Sequence, residues 1–174
     1  MFDAQPRLAG ELVELRPLRA DDREDLYAAA SDPLIWEQHP EKRNQPDVFN
    51  AYFADQLSSG GGLAVVDRAG SRVIGTTRFA GFDANASEVE IGWTFLARPY
   101  WGGGYNGEMK TLLLGHAFRF VDRVVFAVHE QNIRSQRAVE KIGGRRVGSR
   151  VDAAGRGMVV FAVERQRSAA SLSA

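Results

Sequence analysis

Cysteine is absent from this 174-residue chain, which removes disulfides, thiolate nucleophiles and cysteine-ligated zinc. Charge imbalance is absent as well. The 22 Lys and Arg match the 22 Asp and Glu, so no global field draws the protein to nucleic acid or to a membrane. An anionic ligand must then be held by a local site. No apolar run is long enough to span a bilayer, and the opening MFDAQPRLAGE has no apolar segment of the secretory kind. Cytoplasmic residence is the expectation. No His, Asp and Glu cluster has metal-ligand spacing, so no metal is expected. The phosphate motif G-x-x-x-x-G-K-S/T is missing, and so is a complete G-x-G-x-x-G with its later acidic residue, which takes most support from nucleotide hydrolysis and hydride transfer.

What is present is an ordinary globular balance, 44% hydrophobic and 25% charged, in a length that suits one domain. "ELVELRPLR" (11–19) alternates like a strand, and acidic residues ahead of helix formers place a helix at about 21–31, stopped by Pro33. A second helix runs from Pro46 to the glycines at 60–62. Three antiparallel strands follow at 62–68, 72–83 and 87–96, then a helix from Gly104 to Val121. The apolar "RVVFAVHE" (123–130) reads as a strand buried on both faces. A capped helix at 132–144 and a closing hairpin complete the order. The expected class is α/β (α+β): one domain over 10–164 with a mixed, mostly antiparallel sheet flanked by helices. Residues 1–9 read as a loose lead-in and 165–174 as a disordered tail. Alternation along 87–96 puts Val89, Ile91, Trp93 and Phe95 on one face and Glu88, Glu90, Gly92, Thr94 and Leu96 on the other.

"PYWGGGYNGEMKTLLLGHAF" (99–118) sets Gly102, Gly103 and Gly104 at a helix entrance. Each glycine costs backbone entropy, so a close approach to the main chain is the expected reason. Unpaired N–H groups and the positive end of the helix dipole suit phosphate or pyrophosphate without any basic side chain. An ordinary flexible connection is the plainer alternative.

The stretch "EIGWTFLARPYWGGGYNGEMKTLLLGHAF" resembles the acyl-CoA-binding core of the GNAT N-acetyltransferases, in their RimJ/RimL-like branch. Glu90-Ile91-Gly92-Trp93 and Tyr100-Trp101-Gly102 with Gly104-Tyr105 carry the likeness. So do "NIRSQRAVEKIGG" (132–144) and "LRPLRADDREDL" near the start. Asn106 and Gly144 depart from the family pattern, and no tyrosine follows Tyr105.

The resemblance implies a sheet whose central strands, 87–96 and 123–130, splay apart to take the arm of acetyl-CoA by strand addition. It implies that Thr94, Phe95 and Leu96 meet the arm, with Asn132 bonding it. Trp101, Gly102, Gly103, Gly104, Tyr105 and Asn106 would surround the pyrophosphate. Arg137, Arg98 and Lys110 are candidates for phosphate contacts, with Arg137 the one expected at the coenzyme. Glu90 is implied as the base and Ser135 as the acid that protonates the departing thiolate. Trp36, Glu37, His39 and Tyr52 fall where the family sets acceptor specificity, and His129 reads as a structural histidine or a lining residue. The expected acceptor is a primary amine, possibly a protein or peptide N-terminus. Freeing an amine of pKa near 8 at neutral pH costs only about 1 kcal/mol, against about 4–5 for lysine. A non-catalytic acyl-CoA-binding module of the same fold is the alternative, and the chain is expected as a monomer or homodimer.

Overall fold

The computed structural model describes residues 1–166. Strands β1 (Leu8–Ala9) and β2 (Val13–Pro17) lead into α1 (Arg23–Ala30), and α2 (Pro46–Ser58) follows. Then come β3 (Gly62–Asp67), β4 (Arg72–Asp83), β5 (Glu88–Leu96), α3 (Tyr105–Ala117) and β6 (Arg123–His129). The helix α4 (Ile133–Lys141) and the strands β7 (Arg145–Val151) and β8 (Gly157–Glu164) close the chain.

These elements start where local chemistry favours it. Pro46 occupies the first position of α2, where its missing N–H is no loss. The Asn132 side chain accepts the Ser135 N–H at 3.2 Å and caps α4. Ahead of α1, the Asp22 carboxylate accepts two Arg16 hydrogen bonds (2.8 and 2.6 Å) and the Arg19 N–H. A short 3-10 turn at Pro33–Trp36, beyond the expected stop at Pro33, buries Ile35 and Trp36.

The described strands form one sheet in the order β1-β2-β3-β4-β5-β6-β8-β7. Every pairing is antiparallel except β5 with β6, which are joined through α3. A parallel pair needs such a crossover. One core gathers Leu15, Val65, Ile91, Leu113, Phe126 and Val139 on the α3 and α4 side. A second gathers Leu26, Trp36, Phe49, Tyr52 and Phe95 under α1 and α2. The sheet is therefore covered on both faces, and its middle is where β5 meets β6.

Residues 1–9 are not a loose lead. Phe2 packs at 5.2 Å on Phe79 and 5.4 Å on Phe120, the Asp3 carbonyl lies 2.7 Å from His116 Nε2, and Leu8–Ala9 joins the sheet. The aromatic at position 2 finds an apolar slot that linear periodicity does not show. From residue 167 onward the expected tail lies outside the described residues.

Candidate active site

The strands β5 and β6 share a short ladder: Glu88 with Arg123, Val89 with Val124, and Glu90 with Val125. Beyond Glu90 they part, and β6 continues to His129 paired only with β8. A bulge in β5 accompanies the parting. Between Gly92 and Phe95, two β5 residues face one residue of β4. Trp93 there has φ +52, a left-handed conformation that is costly for a bulky side chain. Two contacts hold it. Tyr52 Oη donates to the Trp93 carbonyl at 2.7 Å, and the Arg78 guanidinium lies 4.1 Å over its ring.

The bulge changes the side-chain phase. Val89 and Ile91 lie in the α3-side core together with Leu96, whereas Trp93 and Phe95 lie in the α1/α2-side core. The simple alternation expected along this strand therefore fails after Gly92, because the extra residue advances the pleat by one. Glu90 keeps its expected direction, away from the α3 face.

At the far end of β5, Gly102 and Gly104 adopt φ +72 and +87. A side chain at either position would cost about 1–2 kcal/mol. The first intrahelical bond of α3 runs from Glu108 N–H to the Gly104 carbonyl. The amides of Tyr105, Asn106 and Gly107 precede it and have no intrahelical acceptor. Glu108 braces this entrance from behind, accepting the N–H groups of Glu11, Leu12 and Val13 at 2.7, 2.8 and 2.8 Å. Burial works to raise its pKa, but the three amides outweigh it and hold the carboxyl below its usual range.

The parted strands open a cleft of about 1140 Å³ that runs from Gly102 and Asn106 past Lys110 to Glu90, His129 and Asp152. An extended arm lying between two unpaired strand edges, with an anion at the helix entrance, fits this shape and this donor set.

A family model described as an acetyltransferase (GNAT) domain matches residues 13–145. The chain belongs to the GNAT acetyltransferase family. A protein of T. thermophilus assigned as an acetyltransferase is 30% identical, with a TM-score of 0.77 over 94% of this chain and 92% of that one. A GCN5-related N-acetyltransferase from Brucella melitensis superposes with a TM-score of 0.81 at 22% identity, over 92% and 79% of the two chains. Mycobacterium smegmatis RimJ, solved in complex with CoA-disulfide, has a TM-score of 0.68 at 21% identity, over 94% and 90%. No curated protein matched the chain.

The GNAT cleft brings most of the expected residues together, in unequal roles. Thr94, Phe95, Leu96, Trp101, Gly102, Asn106, Asn132 and Ser135 all line it. Trp101 acts partly as a brace: its indole N–H donates to the Leu96 carbonyl at 2.9 Å, and Arg134 lies 4.3 Å over its ring. Gly103 and Gly104 are exposed beside the cleft, and Tyr105 packs edge-on against Tyr100 at 5.1 Å. Asn132 spends its carbonyl oxygen on the α4 cap, which leaves its amide donors for the cleft. The Ser135 hydroxyl makes no hydrogen bond among the described residues, and only its backbone N–H is used.

Three cations sit elsewhere than expected. Arg137 is exposed on α4 and does not line the cleft, whereas Arg134, three residues earlier, does. The helical turn decides this, since the two side chains leave α4 on different bearings. Arg98 is exposed and paired with Asp32 at 2.5 Å. Lys110 is not at the glycine turn; it is 6% exposed beneath the slot. Burial pushes its pKa down to about 7.

At the other end of the cleft, Glu90 Oε1 receives Arg150 at 2.6 Å. His129 Nε2 lies 2.9 Å from Asp152 Oδ2, which also accepts Arg156 Nε at 2.7 Å. The His129 hydrogen bond, foremost among several donors, holds the Asp152 carboxyl well below its usual range. His39 stacks edge-on against His129 at 5.1 Å. Burial first, then Arg43, lowers its pKa to about 3, so it stays neutral. Trp36, His39 and Tyr52 line the cleft, but Glu37 is exposed outside it. Arg150, Asp152 and Arg156 had no signal in the sequence beyond a charged hairpin turn, "SRVDAAGR". Among the described residues no group of side chains could hold a metal, and no helix is long and apolar enough to cross a membrane.

Proposed function

We propose that this GNAT acetyltransferase carries the acetyl group of acetyl-CoA to a primary amine by direct attack within a ternary complex. One observation carries the reading: the β5–β6 ladder stops at Glu90–Val125, leaving a slot between a glycine-built anion cradle and a polar acceptor end. Acetyl-CoA supplies an activated thioester, so the protein needs no nucleophile of its own. Backbone N–H groups of Tyr105, Asn106 and Gly107 suit the pyrophosphate, and the unpaired edge of Thr94–Leu96 suits the arm's amides. A backbone N–H near Thr94–Phe95, just past the bulge at Trp93, is the proposed donor to the developing oxyanion. Holding amine and thioester together contributes about 7–11 kcal/mol by position alone.

Glu90 is the proposed base for the acceptor's proton, acting through water, and Ser135 the acid for the thiolate. Its Arg150 partner occupies one carboxylate oxygen of Glu90 and leaves the other for the cleft. A second proton path is favoured by the His129–Asp152 hydrogen bond, which orients an imidazole at the same end of the cleft. The acceptor we favour is the α-amine of a protein or peptide. The likeness in fold to a protein of Vibrio cholerae assigned as a ribosomal-protein-serine acetyltransferase supports it, and so does the low cost of deprotonating an amine of pKa near 8, about 1 kcal/mol at neutral pH.

Thiol release with saturating acetyl-CoA, against a panel of N-terminal peptides, polyamines and aminoglycosides, tests the reading. The expected result is turnover with peptide α-amines. Glu90→Gln should lower kcat about 100-fold at low pH and less at high pH, and His129→Gln should act less. The reverse order assigns the proton to His129. Binding of acetyl-CoA with no turnover on any amine selects the non-catalytic module instead.

A further inference from the structure

Lys110 is buried to 6% exposure, burial pushes its pKa down, and no ion pair among the described residues offsets that burial. An ammonium has three N–H donors. Thr94 Oγ1, at 3.2 Å, accepts one of them, and that hydroxyl already shares a 2.8 Å hydrogen bond with Thr77 Oγ1. Nζ also lies 5.0 Å over the face of Phe126. Thr94 belongs to β5 and Phe126 to β6, and both lie past the last ladder pair. The amine thus stands in the floor of the slot, among the residues that line it, with donors to spare.

Burying such a group costs stability that an apolar side chain would not. Its amine is placed by Thr94 and Phe126, on the two strands that flank the slot beyond the last ladder pair. What passes over it is the arm.

We infer that Lys110 is a binding residue for the acyl carrier, its amine donating from beneath the slot to a carbonyl oxygen of the arm between β5 and β6. The inference rests on the reading that acetyl-CoA occupies this slot.

Calorimetric titration of acetyl-CoA into wild type, Lys110→Met and Lys110→Gln, with thermal unfolding of each free protein, tests it. Lys110→Met is expected to weaken acetyl-CoA by about 10-fold or more, because a charged donor is lost. Lys110→Gln, which keeps a neutral donor, falls between. The free Met variant melts no lower than wild type. A Met variant that binds within about twofold of wild type overturns the inference. A Met variant that loses affinity together with melting temperature, or fails to fold, overturns it too, since the amine is then a structural member. Wild type that does not retain acetyl-CoA removes the proposed function itself, a result read before any variant is compared.

Discussion

Lys110 is buried beneath the slot between β5 and β6 with one hydrogen-bond partner, Thr94. Its burial lowers the pKa to about 7 from 10.5, so between those values the unfolded chain binds more protons than the native one. Stability then rises with pH across that window and carries its full penalty below it. In Lys110→Met the penalty is gone at every pH. Urea unfolding should therefore show the Met variant ahead of wild type by most near pH 6–7, with the gap closing toward about pH 10. A gap that does not change with pH contradicts the burial of an unpaired amine. The position was legible in the sequence as a cation near the glycine turn, but its direction was not. Helical spacing names a residue's neighbours on its own helix; it does not say that the sheet beneath has opened. Glu90 was legible because two-residue alternation holds up to Gly92, and Trp93 was misplaced because one extra residue resets it.

At the scale of elements, the α3 entrance couples function to fold. Glu108 sits in the first turn of α3 and holds the β1–β2 turn through three backbone N–H groups. Glu108→Ala should cost about 2–3 kcal/mol in urea unfolding, since three donors lose a charged acceptor. Its carboxyl is held below the usual range, so the wild-type contribution is present above the unfolded pKa and is lost as pH falls through the native one. The variant should accordingly show a flatter acid limb. A loss under about 0.5 kcal/mol, the scale of an ordinary surface change, contradicts the brace. Gly144, a departure from the family pattern, has a reason at this scale as well. A Cβ there would meet Val139 Cγ1 at 2.5 Å and the Val139 carbonyl at 2.8 Å. Most helices and strands were legible because caps, prolines and apolar periods agree with one another. The end of α3 came out earlier than expected, at Ala117 rather than Val121, since apolar residues continue into a turn that is no longer helical.

For the molecule as a whole, one sheet is covered on both faces, and the gap between β5 and β6 is the place where the sheet itself is interrupted. Apart from β1, the order of elements and the class followed from the sequence, since alternation, helical spacing and continuous apolar runs mark different elements. The polar end of the cleft at Glu90 and His129 did not, because it is assembled from parts far apart in the chain. Glu90 meets Arg150, and His129, Asp152 and Arg156 form a chain of contacts that ends at Glu41, where Arg156 donates at 3.1 Å, only once the β7–β8 turn borders the cleft. Linear spacing holds no trace of such a meeting.

Everything proposed for this chain depends on an acyl carrier lying between β5 and β6. Amide hydrogen exchange with and without saturating acetyl-CoA measures this directly, residue by residue. Slowed exchange is expected at alternate amides of residues 91–96 that face the gap and at 102–107 around the helix entrance, with little change in the β2–β3 ladder. Acetyl-CoA that binds without protecting either stretch contradicts the account.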